Sequence, residues 1–505
     1  MNSKIKNNIM KTKIILILVL FIFSLGTRGQ GNKEKDQLLD LLSHPEHAQG
    51  EMAGIITTSS ALLQTRLTLT NWKFNNDYVG CSGWARFMVY TDNTDEAIYT
   101  EWKKATAEND YIVKIMVKNM EPDTKYFYRL QYGRDRENYR TGQLCEFRTL
   151  AGGSISRIVS FTVTTGMNYD KFYHQPGSRF YGIEKELGYP AAGSVVKLKP
   201  DFFIGTGDNV YYDSNFMPCG QAVDAVTMRN YYHLQLGQPR MVEMFSKMGV
   251  YWEKDDHDYR YNDSDTTGER PPSHQLGIKI YREQLPVVDP DEKNAVTYGT
   301  YRVSKEVQIW ILEGRDYRSP NSMPDGPGKT IWGKPQEEWL KNTILESDAT
   351  FKFIISPTPM IGPDDAYKSD NHVNQKGFRT ERDRFFEWMK NNNIPVNSLL
   401  FITGDRHWQY HSIDAIYGFN EFSSGPFVDA NSRMGRNPGD PASTDPEAKL
   451  VIQPYTSREP SGGFLRVVVD PAGSPWKTSR ATFEMRDENG AINYSTYIDS
   501  VKDIE

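Results

Sequence analysis

Cysteine is scarce in this chain: three in 505 residues, Cys81, Cys145 and Cys219. So few thiols exclude a small fold stapled by disulfides. Cys81 and Cys145 fall in one stretch and either pair or stand, like Cys219, as small buried apolar residues. An excess of basic charge is also lacking. The formal net charge is -6, which argues against binding nucleic acid through a basic face, so no nucleic-acid partner is expected. Internal repeats and low-complexity segments are absent. Long apolar runs are confined to the N-terminus, where Lys4, Lys6, Lys11 and Lys13 precede IILILVLFIFSLG and polar GTRGQGNKEKD follows. Residues 1–30 read as a signal peptide whose apolar part is shorter than the roughly 20 residues a span needs. An exported protein, periplasmic or secreted, is expected, with no stable membrane span after signal removal. No Cys follows the apolar part, so nothing supports a lipid anchor.

What is present divides in two. Residues 50–152 carry short alternating runs, among them LLQTRLTLT, ARFMVYTD, DYIVKIMVK and KYFYRLQYG. That alternation predicts half-buried antiparallel strands and a small all-β sandwich, with no acid/base constellation inside it. From 155 to 500 the texture becomes α/β. Apolar runs such as FFIGTGD, FKFIISPTPM and LLFITGD alternate with helical spacing over 221–247, 274–284, QEEWLKNTILE and RTERDRFFEWMKNNN. A layered fold follows, a sheet sandwich flanked by helices, whose ligands gather at strand ends.

Three of those ends release metal-type donors. FFIGTGDNVYYD breaks at glycine and delivers Asp208 and Tyr211; TGDRHWQYH delivers Asp405 and His407, with His411 further on. KDDHDYRYND holds Asp255, Asp256, His257 and Asp258 in a row, then Asn262 and Asp263. A carboxylate after a tight turn can bridge cations, and a phenolate suits a trivalent metal. Adjacent ionisable groups are costly to bury without cations, so the third stretch is either a solvated loop or faces metal and substrate. Each residue has a plainer reading, a turn aspartate or a hydrogen-bonded packing histidine. Arg315, in EGRDYR after a strand, is either the group that binds an anionic ester through paired bonds or a surface ion pair.

GDNVYYD, WEKDDHDYRYND and TGDRHW, in this order, resemble the PhoD-type alkaline phosphatases of the calcineurin-like metallophosphoesterases. KPDFFIGTGDNVYYD, IKIYREQLP, GRDYRSP, GKPQEEWL and FKFIISPTPM extend the likeness over roughly residues 53 to 490. The resemblance implies a metallophosphoesterase-like catalytic region behind an N-terminal sandwich. It implies Asp208 as the bridging carboxylate, Tyr211 as a ligand of the first metal, Asn262 of the second, and Asp405 and His407 closing the site. Asp255, Asp256 and His257 would be ligands, groups behind the ligands or proton donors. His257 or a neighbouring Asp would protonate the leaving alcohol.

The implied function is hydrolysis of an anionic ester by metal-activated water, a phosphate ester by family default. Divalent ions are implied, calcium first, with iron or manganese as alternatives and the number open. One position departs from the pattern. Gly166, in FTVTTGMNYDKF, stands where the family places a thiolate ligand to iron, and Asn168 and Asp170 are the nearby replacements. Less positive charge in the site would suit a sulfate ester of a sulfated carbohydrate, the rival reading. A non-catalytic binding protein on the same scaffold is the third.

Overall fold

The computed structural model describes residues 44–92, 97–175, 182–215, 217–473 and 475–501, so the expected signal peptide lies outside the described residues. Two large sheets face each other. One has nine strands and includes the parallel neighbours Val159–Thr164, Phe202–Thr206 and Gly249–Glu253. The other has seven and includes the parallel run Val307–Ile311, Phe351–Ser356 and Leu399–Thr403. Alternation along each strand fixes the layers, because successive side chains leave opposite faces. Phe202 and Ile204 join Ile309, Phe353, Leu400 and Ile402 in the core between the sheets. Phe203, Val250 and Trp252 point the other way, into a core shared with helices such as Ala225–Leu236 and His274–Gln284. Trp310, Ile354 and Phe401 do the same on the far side, under the helices Gly333–Glu346 and Arg379–Asn391. With both faces covered, these strands read as continuous apolar runs.

Residues 44–150 form strands in two packed layers, and one of those layers is continuous with the nine-stranded sheet. Glu51–Gly54 pairs in parallel with Gly249–Glu253, and Ser60–Arg66 and Ile112–Lys118 follow it, so three strands of the N-terminal region extend the nine-stranded sheet. Every residue of Gly249–Glu253 is buried. Left as an edge it would expose an apolar ladder, and the N-terminal strands cover it. A six-stranded sheet built on Gly83–Tyr90 and Lys125–Gly133 packs on the other side of this extension. Cys145 is a buried thiol beside Glu51, 3.6 Å from its Oε2, and it forms no disulfide with Cys81.

A buried polar cluster joins the two regions. His233, on the 225–236 helix, bonds Asp77 through Nδ1 and Asp110 through Nε2, both at 2.6 Å. Arg66 pairs with Asp110 at 3.1 Å, and Gln284 Nε2 donates to the same carboxylate at 2.9 Å. Burial lowers the His233 pKa, but Asp110 and Asp77 outweigh it and leave the group above its ordinary 6.5. Burial raises Asp110, yet His233 and Arg66 hold it far below its ordinary 3.8. The histidine's contribution is therefore complete below 6.5 and fades as pH rises through its raised value, while the aspartate's is complete above 3.8 and fades in acid. His233→Ala should cost roughly 3 kcal/mol. Melting curves across pH should show the gap to the parent widest between those two values and narrowing in alkali; a gap independent of pH would contradict this.

Candidate metal centre

Strands of both sheets end along one edge. The Thr206 hydroxyl lies 2.5 Å from the Glu253 carboxyl and 3.2 Å from the Ser356 carbonyl, and the Leu312 N–H donates to Glu253 at 2.7 Å. Beyond this seam the chain turns sharply. Gly207 has φ +81°, and a Cβ there would lie 2.5 Å from that of Asp255, so only glycine lets the two loops approach. Asp208 and Asp405 both take φ +56°, a left-handed geometry that aspartate tolerates better than bulkier residues. Asp258 anchors the turn: its carboxylate accepts from the N–H groups of Asp208 and Asn209 at 3.3 Å, of Asp255 at 2.7 Å, and from Asn209 Nδ2 at 2.5 Å.

Asp208, Asp256 and His257 each bring one ligand atom within 4.8 Å of the others. Asp208 Oδ1 and Asp256 Oδ1 are buried and accept no hydrogen bond. Buried anionic oxygens left unpaired are costly, and a cation between them removes that cost. Asp256 Oδ2 accepts from the Asp263 N–H at 2.5 Å. His257 Nδ1 pairs with Asp213 at 2.7 Å, which leaves Nε2 for the cluster in the manner of a carboxylate-oriented metal ligand. Burial lowers the His257 pKa, but Asp256, Asp208 and Asp213 push it up to about 10. Burial raises Asp208, opposed by His257 and reinforced by Asp256. The cluster's geometry and charge suit a divalent cation.

Tyr211 and His407 border the same carboxylate. The Tyr211 hydroxyl donates to Asp208 Oδ2 at 2.8 Å, accepts from Asn431 Nδ2 at 2.7 Å and lies 3.1 Å from His407 Nε2. Burial and the Asp208 charge drive its pKa well above 10, so it stands as a phenol. His407 Nε2 is 3.2 Å from Asp208 Oδ2, and burial with Lys171 and His257 nearby holds this imidazole neutral.

Residues 161–451 match the PhoD-like phosphatase family and residues 38–151 its N-terminal domain. The chain belongs to the PhoD-like phosphatase family. It is 20% identical over 421 residues to alkaline phosphatase D of Bacillus subtilis (strain 168), covering 75% of this chain and 67% of that protein. A solved structure of PhoD superposes with a TM-score of 0.70 at 17% identity, over 91% of each chain. A purple acid phosphatase from yellow lupin does so at 0.56 and 11%, over 90% of this chain and 74% of that one.

Other expected site residues of this PhoD-like chain sit differently. Arg315 is fully buried; Nε donates to Asp255 Oδ1 at 2.8 Å, Nη2 to the same oxygen, and Nη1 to the Ser264 carbonyl at 2.7 Å. Its guanidinium forms a buried ion pair with Asp255 rather than a surface one, and Nη2 lies 3.9 Å from Asp256 Oδ1. The Asn262 side chain is exposed, and its backbone N–H donates to Asp213 at 3.0 Å. Asp405 pairs with Arg406, which also holds Asp364. His411 is a packing histidine, bonded to Asn420 at 2.9 Å and stacked on Phe422. Asp213 and Asn431 were not legible as site groups. Asp213 lies five residues past Asp208 in the same motif, a usable signal, whereas Asn431 follows a strand with no pattern around it.

Arg315→Ala should destabilise the protein by about 3–5 kcal/mol by stranding Asp255 in the interior. Asn262→Ala should leave melting and activity within about twofold, since exposed substitutions are usually nearly neutral. Denaturation and initial-rate measurements on both variants check this, and the reverse ranking would contradict the placement.

Proposed function

We propose that this chain is a metal-dependent hydrolase of an anionic ester, a phosphate ester in the first instance, cleaved by water. The observation that carries the reading is the pair of buried oxygens on Asp208 and Asp256 that accept no hydrogen bond, beside an imidazole oriented by Asp213. Oxygen donors with one imidazole suit calcium or manganese better than a soft metal. A divalent ion held there acidifies water and offsets negative charge developing on the ester. The chain's own residues do the rest. Asp213 fixes the His257 ring, Asp258 fixes the turn that carries Asp208, and Tyr211 occupies Asp208 Oδ2 while Oδ1 accepts no hydrogen bond. His407, neutral and beside the Tyr211 hydroxyl, is placed to take or return a proton.

Among the described residues no helix is long and apolar enough to cross a membrane. The Lys-rich start and its apolar run support export, and with it a small-molecule or carbohydrate ester as substrate. A sulfate ester is the second reading. It is favoured by Gly166, which offers no ligand, since a sulfate monoester carries one negative charge and needs less neutralisation than a phosphate monoester.

Asp208→Ala and Asp256→Asn should each reduce aryl phosphate hydrolysis at least about 1,000-fold while the fold melts normally, and a chelator should do the same to the parent. Assays of aryl phosphate, a phosphodiester and aryl sulfate side by side check this. Undiminished turnover in both variants would sink the hydrolase reading, and release of sulfate without phosphate would move it to the second.

A further inference from the structure

The Gly166 side of the centre is filled by protein. Gly166 takes φ +66°, and a Cβ there would lie 2.8 Å from Pro426 Cβ and 3.2 Å from Asn431 Nδ2. No side chain fits without moving that loop, which the Phe427 N–H pins to the Thr165 carbonyl at 2.7 Å. The nearby replacements are committed elsewhere: Asn168 Oδ1 accepts from the Lys171 N–H at 2.9 Å, and Asp170 pairs with His174 at 2.7 Å.

Asn431 occupies the gap and faces both ways. Nδ2 donates to the Tyr211 hydroxyl at 2.7 Å and lies 3.2 Å from the Gly166 carbonyl, while Oδ1 accepts from Lys171 Nζ at 2.8 Å. Among the described residues no carboxylate lies within ion-pair distance of Lys171, though Asp208 and Asp213 are the anions whose fields reach it. The Tyr211 hydroxyl is held on both sides, donating to Asp208 Oδ2 at 2.8 Å and accepting from Asn431 Nδ2 at 2.7 Å.

We propose that Lys171, held by Asn431, stands in the place of a second metal ion, so that the centre binds one divalent ion and the ammonium supplies the further positive charge to the ester oxygens. The proposal rests on the hydrolase reading above. A lysine ammonium is a compact point charge with three donors, suited to a tetrahedral oxyanion.

The test is metal analysis of the full chain after loading with manganese and gel filtration, with inhibition by inorganic phosphate and sulfate as a second readout. One manganese per chain is expected. Lys171→Met should keep that ion and the melting temperature, weaken inhibition by the preferred anion at least tenfold, and lower kcat/KM by a similar factor; Lys171→Arg should restore most of both. Two ions per chain, or unchanged anion inhibition in Lys171→Met, overturns the proposal and leaves the hydrolase reading standing. No bound manganese together with no ester cleavage sinks both.

Discussion

Asp208, Asp255, Asp256 and Asp258 are all buried, and they meet where parallel strands of one sheet run out against the other. Each carboxylate is compensated by a different device. Asp258 takes three backbone N–H groups, Asp255 takes Arg315, and Asp256 takes the Asp263 N–H and the field of His257. Asp208 takes Tyr211 on one oxygen. Asp208 Oδ1, Asp255 Oδ2 and Asp256 Oδ1 accept no hydrogen bond, and Asp208 and Asp256 lie together with His257. The carboxylates of Asp255 and Asp258 thus hold their loops around the incompletely compensated pair of Asp208 and Asp256, which is how a preformed cation site differs from an acidic surface.

That arrangement depends on the sandwich beneath it. Glu253 is tied to Thr206 within its own sheet and to Leu312 across the seam, so the loops after both sheets are fixed relative to one another. The N-terminal region contributes by covering the Gly249–Glu253 strand, whose end leads directly into Asp255 and Asp256. It does so through a shared sheet.

The layers were legible because strands buried on both faces leave unbroken apolar runs, and the His274–Gln284 helix because its apolar residues recur at helical spacing. The helical spacing over 221–247 hid a break at Gly237 to Pro239, where the chain makes two helices. The parallel pairing of Gly54 with Val250 was not legible, since nothing local records a partner two hundred residues away. Within the site, Asp208, Asp256 and His257 stood out through turn chemistry and crowding. The burial of Arg315 against Asp255 was not legible, because a guanidinium following a strand looks the same whether it meets a ligand, solvent or an internal carboxylate. Asn262 was carried by motif alone, and its exposed side chain shows what spacing cannot: the direction in which a loop residue points.

The most direct test of the centre is a crystal structure of the full chain soaked in manganese, read by anomalous scattering. A strong peak within about 2.5 Å of Asp208, Asp256 and a ring nitrogen of His257 is the expected result. A peak lodged instead among Tyr211, Asp405 and His407, with none at the first position, would contradict it.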